Sequence, residues 1–393
     1  MTEEEYKPRN LNNHYVPRFI IRHFGDSVNC FNVRTGEFLP NRTPESVFCG
    51  KGIYPDDLER KFNNRIEQRF SEKLWKILDK DEIILKRSDI WLIKRFLLIT
   101  TLRTPNTENF VRKFRQIVEK EKTLVPEQSL ILYGKHVYDA DFEETDTHYW
   151  NRTVECILNN DEFTTGAIDR DPNGTAMAHY FIFTFNAGYL GFWDAADTDE
   201  FVITDVGMTS ENEIGWSEDI TFIPKKMEFT EFLLDNLTND SEELRYGLFM
   251  LYCWVTAFHE NFYLFPISSK RTIVLINPFF KFILMNSDTF RLDFSTYTIL
   301  NDKRLFLPNK STCYSLGEHK DDNTYTYVPV QLTPFETRYC NCLIMDRIDT
   351  WLGFSSLDAV RGSAEQYREM TKGYARNAYA ELYDILSKSQ YKY

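Results

Sequence analysis

Four segments of this chain carry polar side chains suited to acid–base and anion chemistry. Near the start, His14-Tyr15-Val16-Pro17-Arg18-Phe19 runs on through Ile20-Ile21-Arg22-His23-Phe24 and sets histidines and arginines in an aromatic-rich stretch. Glu67, Arg103 and Asp205 lie in three later segments. If these side chains converge, they suffice to hydrolyse a phosphate ester. The histidine or a carboxylate would activate water, and arginine would hold the developing negative charge through its forked donors. His14, Glu67 and Asp205 are then the catalytic candidates. Arg103 and Arg18 are the substrate-binding ones, with Arg22 adding a phosphate contact from the same helix as Arg18. The carboxylates and the histidine could instead hold a divalent metal.

Each residue also has a scaffold role open to it. His14, ahead of a proline at a helix start, could cap that helix or bond a backbone carbonyl. Glu67 lies one step off an apolar helical stripe and could pair with Arg103 or a helix neighbour. Arg103 at a helix C-terminus is favourable to the dipole alone. Asp205, after a strand, could cap a turn. Other polar residues read as scaffold: His179 in an apolar strand, Cys253 on a buried helix, and His259-Glu260-Asn261 at a helix end. Cys340 and Cys342 cannot share one face of a helix.

The chain holds no H-E-x-x-H, D-x-D-x-D-G, G-x-S-x-G, P-loop or G-x-G-x-x-G signature, which argues against the common hydrolases, kinases and dehydrogenases. Its seven cysteines are scattered with no C-x-x-C pair, so neither a zinc ribbon nor a thioredoxin-type site is indicated. An odd count and a Met-Thr-Glu-Glu-Glu start without a basic or apolar leader read as reduced thiols in a cytoplasm. No apolar run reaches the ~18 residues of a membrane span. The net charge of −13 divides unevenly: residues 1–122 carry +6 (24 basic, 18 acidic) and the remainder −19 (22 basic, 41 acidic). A basic third on an acidic body could steer an anionic ligand or a nucleic acid to one end, while the acidic remainder opposes non-specific DNA coating.

Several elements must position these residues. Pro17 and the spacing of Phe19, Ile20 and Phe24 predict a short helix ending at Gly25, followed by a hairpin over 29–39. Leu58, Phe62, Ile66, Phe70, Leu74 and Leu78 form a helical stripe, with Asp56 and Glu59 placed as a capping box. A helix capped by Ser88 and apolar almost all round runs over 90–102 to Arg103-Thr104-Pro105, and a basic helix spans 107–122. Residues 125–175 are looser, with a helix over 149–158. Strands are expected at 178–185, 188–193, 201–204, 220–223, 264–267, 272–276 and 325–330, and a buried helix over 241–261. Thr333-Pro334-Phe335-Glu336 is a strong helix start, carrying that helix to about 351, and a last helix covers 357–386. The fold class is α+β: a helical N-terminal third, a mostly antiparallel central sheet and C-terminal helices. The layout is a flexible leader at 1–12, a basic helical part at 13–124, a variable insert at 125–175, and a sheet-plus-helices part at 176–393 forming one compact unit with 13–124.

The opening His14-Tyr-Val-Pro-Arg-Phe-Ile-Ile-Arg-His-Phe resembles the start of a widespread microbial family of unknown function, whose members begin H-Y-(V/I)-P-x-(F/Y)-L-x-x-F. The helix Asp57-Leu58-Glu59…Ile66-Glu67, the segment Leu102-Arg103-Thr104-Pro105 and the segment Phe201-Val202-Ile203-Thr204-Asp205 resemble, in order, its glutamate-bearing helix, its R-T-P and its F-x-T-S-D-x-P. Asn341, on a late helix, sits where members tend to have an asparagine, which adds it to the substrate-binding candidates. After Asp205 this chain reads Val206-Gly207-Met208, without the family's proline. The resemblance covers about 20–350 and implies no reaction.

Two functions fit these residues. One is a hydrolase acting on RNA, DNA or a nucleotide, in a setting such as a stress or anti-phage response. The other is a non-catalytic module that binds a partner protein or nucleic acid through the basic helices of 58–122, with Arg112, Lys113 and Arg115 prominent. Oligomeric state is not legible.

Overall fold

Hydrophobic spacing and turn chemistry account for most of the elements that the chain forms. The computed structural model describes residues 12–51, 55–103, 107–124, 134–137, 144–211, 261–278, 280, 281, 285, 298–300, 302–307, 323–371 and 379–389. The expected leader, the Thr104-Pro105 stop, the strand at 220–223, and Cys253, His259, Glu260 and nearly all of the helix over 241–261 lie outside the described residues.

The N-terminal third is not purely helical. Strand β1 (Asn12–His14) opens it. Helix α1 (Arg18–Ile21) and a 3-10 turn then end at Gly25, whose φ of 140° suits glycine. Strands β2 (Val28–Asn32) and β3 (Phe38–Arg42) form the expected hairpin, and β4 (Cys49–Lys51) returns to pair with β1, setting Cys49 opposite His14.

The striped helix forms as α2 (Asp56–Phe62) and α3 (Gln68–Leu74), joined by a π-helical turn, Asn63–Glu67. An apolar residue every fourth position drifts around a 3.6-residue helix. The wider π-turn takes up that drift, and Leu58, Phe62, Ile66, Phe70 and Leu74 are all buried. The N-cap position falls on Pro55, one residue before the Asp56 expected there, and it has no side-chain cap.

Strand β5 (Ile83–Lys86) leads into helix α4 (Arg87–Leu102). Lys86, not Ser88, is at the N-cap, and its N–H donates to Asp89 Oδ2 at 3.2 Å. Helices α5 (Thr107–Leu124), α6 (Asp146–Asn159), α7 (Thr165–Arg170) and α8 (Ala176–Ala187) follow. Helix α8 corrects the strand expected at 178–185. Its run is apolar on nearly every side, a pattern that periodicity alone cannot assign. Thr175 decides for helix by accepting the Ala178 N–H. His179 is therefore a helical residue; it is buried, with Nε2 3.6 Å from Asp169.

Strands β6 (Tyr189–Asp194), β7 (Ile203–Thr204), β8 (Thr209–Ser210), β9 (Phe262–Pro266), β10 (Arg271–Ile276), β11 (Thr324–Tyr327) and β12 (Val330–Gln331) come next. Helix α9 (Pro334–Arg347) starts with the expected capping box, Glu336 N–H to Thr333 Oγ1 and Thr333 N–H to Glu336 Oε2. It stops short of 351, because the chain turns into β13 (Trp351–Phe354) before α10 (Leu357–Thr371) and α11 (Ala380–Ser389).

The principal sheet has the order β12-β6-β10-β9-β8, antiparallel except for the β12–β6 pair, and a second sheet, β3-β2-β13-β7, is antiparallel throughout. Alternate residues of the principal sheet enter different cores. Leu190, Phe192, Phe265, Ile273 and Leu275 face the N-terminal helices and α6–α8, while Trp193, Phe262, Leu264, Val274 and Ile276 face α9–α11. Covering both faces explains why β10 reads as an unbroken apolar run.

Helix α4 ties the first core together through two cations near its middle, Lys94 and Arg95. Lys94, 1% exposed, donates to the carbonyls of Asn186 and Gly188, both at 2.7 Å, at the C-terminal end of α8. Arg95 donates to the Asn160 carbonyl at 3.0 Å and to Asp161 Oδ1 at 2.9 Å, at the end of α6. Positive charge at these carbonyl ends is favourable. Burial nevertheless pushes the Lys94 ammonium down to about 7, with Arg87 adding to the effect. Its folded pKa thus lies below the unfolded value of 10.5. Between the two, the unfolded chain holds a proton that the folded chain does not, so this residue's contribution to stability grows with pH in that window. The urea stability gap between wild type and Lys94→Met should therefore shift in favour of wild type from pH 7.5 to pH 9, approaching about 1.4 kcal/mol per pH unit. A gap independent of pH would contradict it.

Candidate functional site

Arg103 ends α4 and closes its last turn, its N–H bonding the Ile99 carbonyl at 3.0 Å. Its side chain is 2% exposed, a position a guanidinium occupies only when paired. Nη2 donates to both carboxylate oxygens of Glu59 at 3.1 Å, Nη1 donates to Glu67, and the ring of Phe62 lies 4.7 Å away. Sequence reasoning anticipated the Glu67–Arg103 meeting and missed Glu59, which it assigned to a helix cap. A signal was available, since Glu59 and Glu67 each follow a stripe residue, Leu58 and Ile66, at the same offset.

His14 lies beside this cluster, at the end of β1. Among the described residues its buried Nδ1 has no hydrogen-bond partner, while the ring bonds the Val47 backbone. Burial, then the charges of Arg18 and Arg103, push its pKa down to about 4, against the opposing pull of the Val47 carbonyl and Glu45. The ring is therefore neutral at physiological pH, with an acceptor or donor atom left unspent. Arg18, four residues on, is exposed, and its side chain makes no hydrogen bond or ion pair among the described residues. Arg22 is instead bound to Glu45 at 2.8 Å. Phe48, next to Val47, is buried and holds a φ of 51°, a left-handed conformation that is costly for a bulky side chain. Such strain concentrates at functional sites.

Asp205 reaches the same neighbourhood, where it and Asp349 add to the burial that pushes the Tyr15 phenol up to about 12. Its carboxylate, however, is engaged with backbone. Oδ2 accepts the N–H groups of Thr350 and Trp351 at 3.0 and 2.9 Å, and Oδ1 that of Asp349 at 3.3 Å. Burial and Asp349 push its pKa up to about 6, while these N–H groups pull it down. Gly207 adopts a φ of 72°, and a Cβ there would lie 2.7 Å from the Thr100 carbonyl. The turn after Asp205 thus rests on the last turn of α4.

Asn341 does not join the corner. It is fully buried, accepting the Val202 N–H at 3.0 Å and donating to the Glu200 carbonyl at 2.7 Å and to Ser363 at 2.8 Å. It locks α9 to α10 and to the β7 approach. The structure therefore gathers His14, Arg18, Glu67 and Arg103 with Glu59, sets Asp205 nearby as a backbone clamp, and leaves Asn341 in the second core. Among the described residues no three His, Cys, Asp or Glu side chains are grouped to hold a metal, and Glu59 and Glu67 are turned to Arg103. Two basic residues of α5 are also committed: Arg112 and Arg115 both pair with Asp146, at 3.4 and 3.0 Å.

This is a mixed α+β protein with several mostly antiparallel sheets, in which a buried arginine–dicarboxylate cluster sits beside a neutral histidine. Residues 12–356 match the model of a family described as a protein of unknown function, DUF4238, and the chain belongs to that family. The matched span contains all four segments on which the resemblance rests. No curated protein and no solved structure matches the chain. Among the described residues no helix is long and apolar enough to cross a membrane.

The clamp and the cluster give separate expectations. Asp205→Asn turns an N–H donor toward backbone N–H groups and should cost about 2–3 kcal/mol in urea unfolding. Glu67→Gln removes one of two counter-charges from a buried guanidinium and should cost a similar amount, about 2–3 kcal/mol. Losses under 0.5 kcal/mol would contradict both assignments.

Proposed function

We propose that the corner around His14 is the catalytic site of a phosphoester hydrolase acting on RNA, DNA or a nucleotide. The observation that carries this reading is the buried Nδ1 of a neutral His14 and, four residues on, the exposed guanidinium of Arg18, both without a hydrogen-bond partner among the described residues. In this reading Arg18 binds the phosphate oxygens through its forked donors. His14 Nδ1 takes a proton from water as the water oxygen attacks phosphorus, and returns it to the departing oxygen. The bound phosphate brings negative charge next to Arg18 and Arg103. It thereby offsets the charges that depress the histidine pKa and lets His14 hold the proton.

Glu59 and Glu67 act indirectly, by fixing Arg103 and neutralising much of its charge. Asp205 supports the site through the backbone it clamps, so it is a positioning residue. The alternative reading, a binding module that uses the basic helices of 58–122, is less favoured because Arg112 and Arg115 of α5 are paired with Asp146.

The test is hydrolysis of single-stranded RNA, duplex DNA and nucleotides by the full chain. His14→Ala should lower kcat by about 10²–10⁴-fold. Arg18→Ala should raise KM for phosphate-bearing substrates more than it lowers kcat. Full activity in His14→Ala with its fold intact, or no hydrolysis of any of these substrates by wild type, would overturn the reading.

A further inference from the structure

In a neutral imidazole one nitrogen carries a hydrogen and the other only a lone pair. Which is which follows from the hydrogen bonds that the ring makes. At His14, Nδ1 is buried and has no partner among the described residues. The ring nevertheless bonds the Val47 backbone. That bond therefore runs through Nε2. A carbonyl accepts and cannot donate, so Nε2 carries the hydrogen and the lone pair sits on Nδ1. Arg18, Arg103 and Glu45 act on the ring by charge, and Cys49, opposite His14 across β1 and β4, gives Nδ1 no hydrogen bond.

The Val47 carbonyl is held in place by its neighbour. Phe48 takes the chain from the 3-10 turn Pro44–Ser46 into β4 with a left-handed φ of 51°. Its own carbonyl accepts the Tyr15 N–H at 2.8 Å, next to His14. Its side chain is buried against β13, where a Cβ on Gly353 would lie 2.7 Å from the Phe48 Cζ. Gly353 pairs with Ile203 of β7, in the strand whose entry Asp205 clamps. A left-handed phenylalanine persists only where its surroundings over-determine it. Here the backbone bond to Tyr15 and the packing against β13 both do so.

We propose that Phe48 is a positioning residue for His14, one that holds the Val47 carbonyl on the ring Nε2–H so that Nδ1 keeps the lone pair. The tautomer is a property of the fold. Only the use of Nδ1 as the base rests on the hydrolase reading.

The experiment is nitrogen-resolved NMR of the His14 ring in the full chain at pH 7. A solvent-exposed imidazole N–H exchanges with water too quickly to be seen, so a visible ring proton reports a held hydrogen bond. Wild type should show one such proton, on Nε2, close in space to Val47 and Phe48. Phe48→Leu, which refills the apolar site, should keep the signal. Phe48→Gly should lose it, although glycine adopts this backbone angle without strain. Gly353→Ala, which crowds the Phe48 ring from β13, should weaken it. Phe48→Gly should also lower kcat by about tenfold or more through misplacement of the base. The wild-type spectrum requires no variant to fold, so it is decisive alone. A ring proton on Nδ1, no visible ring proton on either nitrogen, or an unchanged signal in folded Phe48→Gly would overturn the proposal. A held Nε2 proton in a chain that hydrolyses none of the substrates would support it and overturn the hydrolase reading alone.

Discussion

The guanidinium of Arg103, buried at the end of α4 between Glu59 and Glu67, is the interaction on which the functional corner depends. A charge at 2% exposure is tolerable only when it is paired, as Arg103 is with two carboxylates. That requirement fixes the position of α2 and the π-turn relative to α4. The Arg103 charge also adds, after burial and Arg18, to the effects that keep His14 neutral. The same helix uses Lys94 and Arg95 to grip the carbonyl ends of α8 and α6. Helix α4 therefore organises the N-terminal half with cations rather than with apolar contacts alone.

A second constraint joins that half to the rest. Asp205 takes up backbone N–H groups at the entry to β13, and Gly207 allows its turn to lie directly on the Thr100 carbonyl of α4. The clamp therefore connects the four-stranded sheet to the helix that carries Arg103. Through Asn341, helices α9 and α10 are tied to the segment leading into β7. Two of the polar residues that stand out in the sequence thus maintain the frame around the corner, and their side chains are already engaged.

Much of the fold was legible because local chemistry and burial agreed. The Thr333-Pro334-Glu336 start and the hairpin at 28–42 each combine a turn or capping signal with a consistent pattern, and the striped helix is legible from its period alone. The failures have physical causes. The run at 178–185 is apolar throughout, so it carries no period, and only Thr175 marks it as a helix. The remaining strands of the N-terminal third, β1, β4 and β5, are three or four residues long, too short to announce themselves. At the site, the pairing of Glu67 with Arg103 followed from charge and stripe position. The pairing of Glu59 did not, because its place near a helix start suggested a cap instead. The engagement of Asp205 with backbone could not be read, since the amides it binds lie more than 140 residues away.

The central claim is that His14 is held neutral by burial and by two arginine charges, and that a bound phosphate reverses this. Its folded pKa lies below the ordinary value of 6.5. The neutral ring therefore contributes stability above that value, and the contribution is lost as pH falls through about 4. The most direct measurement is NMR titration of the His14 ring in the full chain, with and without inorganic phosphate. The account predicts a midpoint near 4 for the protein alone and an upward shift when phosphate is added. A midpoint near 6.5 that phosphate leaves unmoved would contradict it.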